Sequence, residues 1–198
     1  MQDLKIERRS FPVGEFRAGD DPESRIVSGH AAVFDTLSVE MGGFRERVAQ
    51  GAFANTIKND DVRGLWNHDP ASILARTKSG TLKLSEDDRG LAFSMDVAET
   101  RVGNDLLVSI RRGDVDEMSF GFVMLDEAWE QEAGQELATR TLKQVRLLDV
   151  SPVSFPAYPG TDVNVAVRSL AAWRATQNVI DPIAAASRDR TLQIAEAD

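Results

Sequence analysis

Short stretches of β-type sequence recur along most of the chain and limit the folds open to it. These stretches are rich in branched or aromatic residues, and glycine and aspartate occur in many of the turns between them. Many short strands separated by turns are typical of sandwiches and barrels. The sequence therefore predicts a mainly β fold of the α+β class, a closed or partly open β-barrel with a few flanking helices. The predicted strands are Leu4–Phe11, Ile26–Phe34, Phe44–Val48, Val62–Asn67, Ile73–Thr77, Thr81–Ser85, Leu91–Val97, Val115–Leu125 and Thr139–Ser151.

Helices are predicted at three places, over residues 51–58, 100–112 and 163–173. In the second, apolar residues recur on one face, and Gly113 follows it as the residue type that commonly ends a helix. An amphipathic helix of this kind packs its apolar face against a core. We expect it to support the barrel and to take no part in chemistry.

A serine interrupts the apolar stretch Glu117–Phe122. On a strand, Phe120 and Phe122 would share one face while Ser119 and Gly121 share the other. Glycine inside a strand often marks a close approach by a ligand or another backbone. We interpret Ser119 as a candidate nucleophile, with Gly121 and Phe120 as candidate binding residues for an extended peptide substrate. The alternative is an ordinary strand with a solvated serine.

The chain has two histidines, and a serine nucleophile needs a neutral imidazole to take its proton. His68 follows a predicted strand and precedes an Asp-Pro pair, so it is expected at a strand end. His30 lies inside an alternating strand pattern and is interpreted as structural. His68 is therefore the candidate general base.

The last predicted strand carries a carboxylate and a hydroxyl. Counting by two places Asp149 and Ser151 on the same face as Leu147, an otherwise apolar face. Burying an unpaired carboxylate is costly, whereas an aspartate that accepts an imidazole N–H is compensated and fixes the histidine tautomer. Asp149 is thus predicted to orient His68, and Ser151 is a candidate substrate-binding or supporting hydroxyl. The alternative partners of Asp149 are the arginines Arg140 and Arg146.

Taken in order, these motifs resemble the prohead (capsid maturation) proteases of tailed bacteriophages over about Ile26 to Val167. That family is similar to the herpesvirus assemblins, serine proteases built on a β-barrel with surrounding helices. The resemblance maps the family's histidine to His68, its serine to Ser119 and its acidic residue, often glutamate, to Asp149. The stretches that carry it are Gly29–Phe34, Gly51–Phe53, Asn67–Asp69, Gly80–Leu82, Gly90–Leu91, Met118–Phe122 and Asp149–Pro159.

This resemblance implies a serine endopeptidase that cleaves scaffold or capsid protein, and itself, inside an assembling phage procapsid in the bacterial cytoplasm. The implied partners are the major capsid protein and its scaffold segment, and a homo-oligomer is left open. Two other functions fit the same residues. One is a capsid-assembly or scaffold-binding module that cleaves nothing, and the other is an unrelated serine hydrolase.

Composition excludes several classes of site. The net charge of −9 argues against nucleic-acid binding, which draws much of its affinity from a basic surface. The absence of cysteine excludes a thiol protease and a thiolate zinc site, and two histidines argue against a histidine-rich metal site. No cofactor is predicted. No stretch is long and apolar enough for a transmembrane helix, so no membrane association is expected.

The chain is predicted to contain an N-terminal strand and linker (1–25), a protease domain (26–168) and a mobile C-terminal tail (169–198). In a maturation protease, such a tail is a candidate self-cleavage region. The acidic stretch 126–136 is interpreted as a solvated hairpin tip. The proline-punctuated stretch 151–161 is not expected to form a central strand, and its backbone amides are predicted to line the active site.

Overall fold

A computed structural model describes residues 5–11, 17–19, 21, 23–155 and 164–177. The predicted pattern of strands and helices is largely reproduced, with a short strand, β2, that the sequence did not indicate. The elements are β1 (Glu7–Phe11), β2 (Arg17–Ala18), β3 (Ile26–Val33), β4 (Phe44–Val48), α1 (Ala54–Asn59), β5 (Arg63–Trp66), β6 (Asp69–Arg76), β7 (Leu82–Glu86), β8 (Gly90–Asp96), α2 (Arg101–Arg112), β9 (Glu117–Glu130), β10 (Ala138–Val153) and α3 (164–177).

The chain divides into two compact units, Met1–Val163 and Asn164–Asp198. All ten described strands belong to the first unit, including β1 and β2 of the segment predicted as a separate N-terminal strand and linker. Helix α3 is the described part of the second unit. The rest of the predicted tail, and the stretch 156–161 assigned to the active site, lie outside the described residues. Within the described part of the chain, no helix has the length and apolar character needed to cross a membrane.

The strands form two sheets. The first has the order β1-β9-β10-β5-β6, with β4 also paired to β10, and the second has the order β2-β3-β8-β7. A single bridge between Phe34 and Val48 links the end of β3 to β4. The mainly β, α+β prediction is confirmed. The closed form of the barrel is not found in the described chain, because the first sheet ends at β1 and β6, which do not pair with each other.

Both sheets and α2 contribute side chains to one apolar core, in which Phe120 of β9 and Met95 of β8 are fully buried. Helix α2 begins where the Thr100 hydroxyl accepts a hydrogen bond from the Gly103 N–H. It ends at Gly113, whose positive φ of 78° suits glycine. The predicted extent of this helix and its glycine end are confirmed.

A β-bulge in β10 interrupts the predicted alternation of side chains. Leu147 pairs with Phe122, but Asp149 pairs with the adjacent Gly121, so Leu148 is an extra residue. Leu147 therefore packs in the core while Asp149 faces the opposite side of the sheet. The prediction that Leu147 and Asp149 share a face is wrong, because period-two counting fails across a bulge.

Two other expectations about the β9–β10 hairpin also need correction. Pro152 lies in β10, a central strand, but near its end and beyond Val150, the last residue of β10 that pairs with β5. Its carbonyl accepts a hydrogen bond from Asn67 N–H at 3.0 Å. The acidic stretch 126–136 is not simply solvated, because Glu127 pairs with Arg140.

Candidate active site

Strand β9 supplies Ser119 from the interior of the first sheet. Its cross-strand neighbours are Ser10 of β1 and Ser151 of β10. The side chains of Ser119 and Ser151 therefore lie on the same face, away from the core that holds Phe120. Ser119 has no exposed surface.

His68 lies in the two-residue turn that joins β5 to β6, between the paired residues Trp66 and Asp69. Its φ is +58°, and that of Asn67 is +53°. Positive φ at both central residues is characteristic of the tight hairpin turns that match strand twist. His68 thus lies at the end of a strand, and the turn places its Nε2 2.7 Å from Ser119 Oγ.

Asp149 is the partner of this histidine. Its Oδ1 lies 2.6 Å from His68 Nδ1 and also accepts a hydrogen bond from Ser151 Oγ at 2.6 Å. Since an ionised carboxylate can only accept, Nδ1 carries the proton and Nε2 presents its lone pair to the serine hydroxyl. The alternative arginine partners are engaged elsewhere, Arg140 with Glu7, Glu46 and Glu127, and Arg146 with Asp60.

Gly121 makes room for the carboxylate of Asp149. A Cβ atom at this position would lie 2.3 Å from Asp149 Oδ2, closer than real contacts allow. The bare position beside Ser119 is thus occupied by the aspartate. Of the other two candidate substrate-binding residues, Ser151 is bonded to Asp149, and Phe120 is buried in the core with its ring centroid 5.5 Å from that of Phe53.

Strand β1 contributes a contact that the sequence did not indicate. The carbonyl oxygen of Arg9 lies 3.1 Å from Ser119 Oγ, so the single serine proton faces two acceptors. The separation to His68 Nε2 is the shorter one. The alternating pattern predicted β1 as a strand, but nothing in its sequence identified β9 as its neighbour.

A buried cluster of charged side chains holds β1, β4 and β10 together. Arg9 Nε bonds Glu46 Oε1 at 2.7 Å, and Arg140 Nη1 lies 2.8 Å from oxygens of both Glu7 and Glu46. Glu127 joins at the edge through Arg140 Nε at 2.6 Å. Burial by itself lowers the pKa of Arg140, but its bond to Glu7 and the nearby carboxylate charges outweigh burial and raise that pKa. The pKa of Arg9 is raised as well, against the effect of burial, by the charge and hydrogen bonds of Glu46, so both arginines carry their positive charge in the cluster.

Two further titratable groups lie outside this arrangement. His30 is in the second sheet, where its Nε2 lies 2.8 Å from Asp87 Oδ2. Glu117 precedes Ser119 by two residues on β9, and its Oε2 is closed to solvent with no hydrogen-bond partner. Burial, assisted by the negative charge of Asp116, raises the pKa of the Glu117 carboxyl.

Comparison with known proteins places the chain in a family. Among solved structures, the bacteriophage T4 capsid assembly protease, gp21, matches with a TM-score of 0.51 and 12% identity, over 75% of this chain and 97% of that one. At this identity the likeness concerns the fold alone. No curated protein matches the sequence. The sequence profile of the caudovirus prohead serine protease family matches residues 14–176. The predicted resemblance is confirmed, and the chain belongs to the caudovirus prohead serine protease family.

Proposed function

We propose that this prohead protease is a serine endopeptidase that acts through Ser119, His68 and Asp149. The observation that carries the proposal is the chain of two short hydrogen bonds, 2.7 Å from Ser119 Oγ to His68 Nε2 and 2.6 Å from His68 Nδ1 to Asp149 Oδ1. Nucleophile, base and orienting carboxylate stand in the order that acyl transfer requires.

In this mechanism, Ser119 Oγ attacks the scissile carbonyl carbon while its proton moves to His68 Nε2. The imidazolium then gives that proton to the departing amine, which leaves an acyl group on Ser119. Water, deprotonated by His68, hydrolyses the ester and restores the serine. Asp149 keeps the imidazole in place throughout, and its second hydrogen bond, from Ser151 Oγ, holds the carboxylate in position.

The proposed substrates are the scaffold segment of the major capsid protein and the protease itself. Membership in the prohead family supports a capsid partner and a place inside the assembling procapsid of a bacterial host. Self-cleavage is proposed to fall within 169–198. We further propose that Gly121 and Ser151 do not bind the peptide substrate. Gly121 leaves space for the carboxylate of Asp149, and Ser151 donates a hydrogen bond to it.

One observation favours a second function, that of a capsid-assembly module without peptidase activity. Ser119 has no exposed surface, and the side chains of His68 and Asp149 are only 10% and 11% exposed. A peptide carbonyl can reach Ser119 Oγ only after a neighbouring segment moves. The peptidase proposal therefore requires an opening step when substrate binds, whereas the assembly module requires none.

Co-expression with a major capsid protein that carries a scaffold segment, followed by intact-mass spectrometry, separates the two functions. The peptidase proposal expects a shortened capsid protein and a shortened protease with wild type, and neither product with Ser119→Ala. Ser10→Ala, which removes the hydroxyl directly across the strand pair, is the matched control and should still process.

Either of two results would defeat the peptidase proposal. One is processing by a folded Ser119→Ala protein, and the other is procapsid assembly with no processing by wild type. Co-sedimentation of the uncleaved protein with procapsids in the second case would support the assembly module.

A further inference from the structure

The hairpin turn that carries His68 is unusual in its sequence. Both central residues, Asn67 and His68, have positive φ. Asparagine adopts this conformation readily, but a turn of this type usually has glycine in the second position. A histidine held there is under backbone strain, which persists only when surrounding contacts fix the turn.

Three hydrogen bonds from Asn67 fix the turn to the end of β10. The Asn67 N–H donates to the Pro152 carbonyl at 3.0 Å. Its Oδ1 accepts from the Ser154 N–H at 2.9 Å, and its Nδ2 donates to Ser154 Oγ at 3.3 Å. The side chain of Asn67 thus spans from the turn to the residue just beyond the last strand.

These hydrogen bonds matter because the three site residues are held in place by different elements. Ser119 and Asp149 lie on β9 and β10, which are paired along most of their length. His68 lies on a turn whose strand, β5, pairs with β10 only at Arg63 and Gly64. Beyond that ladder, in the described part of the chain, the turn is joined to β10 and its continuation by the hydrogen bonds of Asn67 and of the His68 imidazole.

We infer that Asn67 is a positioning residue, whose side chain holds the strained turn against β10 so that His68 Nε2 faces Ser119. This inference rests on the proposed peptidase function for its kinetic readout, but the contact between His68 and Asp149 can be observed without catalysis. The hydrogen bonds of Asn67 go to Pro152 and Ser154 and not to the reacting atoms, so it acts through the backbone of its neighbour.

Asn67→Gly is the decisive variant because glycine tolerates the positive φ and removes only the side-chain bonds. Phosphonylation of Ser119 by a biotinylated fluorophosphonate, in which Oγ bonds phosphorus and fluoride leaves, measures activation of the serine. A displacement of the base by about 1 Å costs on the order of 10²-fold, so we expect a fall of that size in the maximal labelling rate with little change in probe affinity. The His68 Nδ1 proton resonance should weaken or move.

Asn67→Asp keeps the acceptor for the Ser154 N–H and should recover most of the labelling rate. Ser154→Ala removes only the 3.3 Å bond and should remain close to wild type. Ser119→Ala run in parallel tests the proposed function, since labelling that persists in it would show that Ser119 is not the reacting serine. The Asn67 inference is overturned if folded Asn67→Gly retains the wild-type His68 Nδ1 proton resonance. It is also overturned if the resonance of Asn67→Asp is as far from that of wild type as the resonance of Asn67→Gly.

Discussion

The role of Asp149 depends on one oxygen atom that serves two donors. Oδ1 receives the His68 N–H and the Ser151 hydroxyl, while Gly121 leaves space for Oδ2. A carboxylate held by two donors and a steric pocket has little freedom to reorient. Its position is set by a bulge, a glycine and a serine that all lie within the β9–β10 pair.

Replacing Asp149 with asparagine tests this role. The amide keeps the shape of the carboxylate but can hold the imidazole in the wrong tautomer, so we expect peptidase activity to fall by on the order of 10³- to 10⁴-fold. The melting temperature should change little. Single-turnover cleavage and thermal unfolding of the same preparation check both points. Near-normal turnover with reduced stability would instead assign Asp149 a purely structural role.

Glu117 gives a prediction about pH and stability. Its pKa is raised in the folded protein, so below the usual value of 4.5 the carboxyl is protonated in both folded and unfolded states. As pH rises through the higher folded pKa, the buried charge increasingly favours unfolding. Glu117→Gln should therefore raise the melting temperature at pH 7 and lose this advantage at pH values below 4.5.

Urea unfolding of Glu117→Gln and wild type across this pH range measures the difference directly. Asp116→Asn is a second test variant. Removing the charge of Asp116 lowers the pKa of Glu117 in the folded protein, so this variant should also be more stable than wild type at pH 7, by less than Glu117→Gln. A difference between Glu117→Gln and wild type that does not vary with pH would contradict the explanation.

At the scale of elements, buried charge joins strands that are distant in the sequence. Arg140 of β10 contacts Glu7 of β1 and Glu46 of β4 while having only 1% of its side chain exposed. A buried pair is weak evidence of net stabilisation, but removing one partner leaves the others uncompensated. Here the loss of Arg140 would leave Arg9 to compensate both Glu7 and Glu46, and Glu127 would lose its contact with Arg140.

Arg140→Met should therefore lower the free energy of unfolding by about 3–5 kcal/mol. Its matched control is Arg47→Met on β4, whose bond to Glu130 is largely solvated and should contribute at most about 1 kcal/mol. Chemical denaturation of both variants measures the contrast. Equal, small losses would mean that the cluster is more hydrated than its burial indicates.

This cluster also shows where sequence reasoning reached its limit. Period-two patterns located most strands within a few residues. His68, Ser119 and Asp149 were predicted to interact because a serine nucleophile needs a base and a buried carboxylate needs a partner. No local pattern links Glu7 and Arg9 to this cluster, because Glu46 lies 37 positions from Arg9 and Arg140 lies 133 positions from Glu7. The Leu148 bulge was missed for a related reason, since it is set by pairing with β9 and not by local composition.

At the scale of the molecule, the two sheets share a core, and the strands that the structure describes do not close into a barrel. Local patterns predicted the strands but could not determine closure, which depends on whether β1 and β6 meet. In the structure β1 instead forms an edge of the first sheet, beside the strand that carries Ser119. Strand β1 is thus part of the framework of the site.

Two truncations compare the ends of the chain. Deleting residues 1–11 removes β1, two charges of the buried cluster and the Arg9 carbonyl that contacts Ser119. Arg140 would keep Glu46 and Glu127, but β9 would expose an unpaired edge and the core beneath it. We expect this chain to lose cooperative unfolding or to aggregate.

Deleting residues 164–198 removes the second compact unit and leaves every described strand in place. This chain should unfold cooperatively, with a melting temperature close to that of the full protein, because the core and the charged cluster are intact. Circular dichroism melts and labelling of Ser119 by a fluorophosphonate provide the two measurements. If the N-terminal deletion folds and labels normally while the C-terminal deletion does neither, β1 is dispensable and the framework of the site depends on residues 164–198 instead.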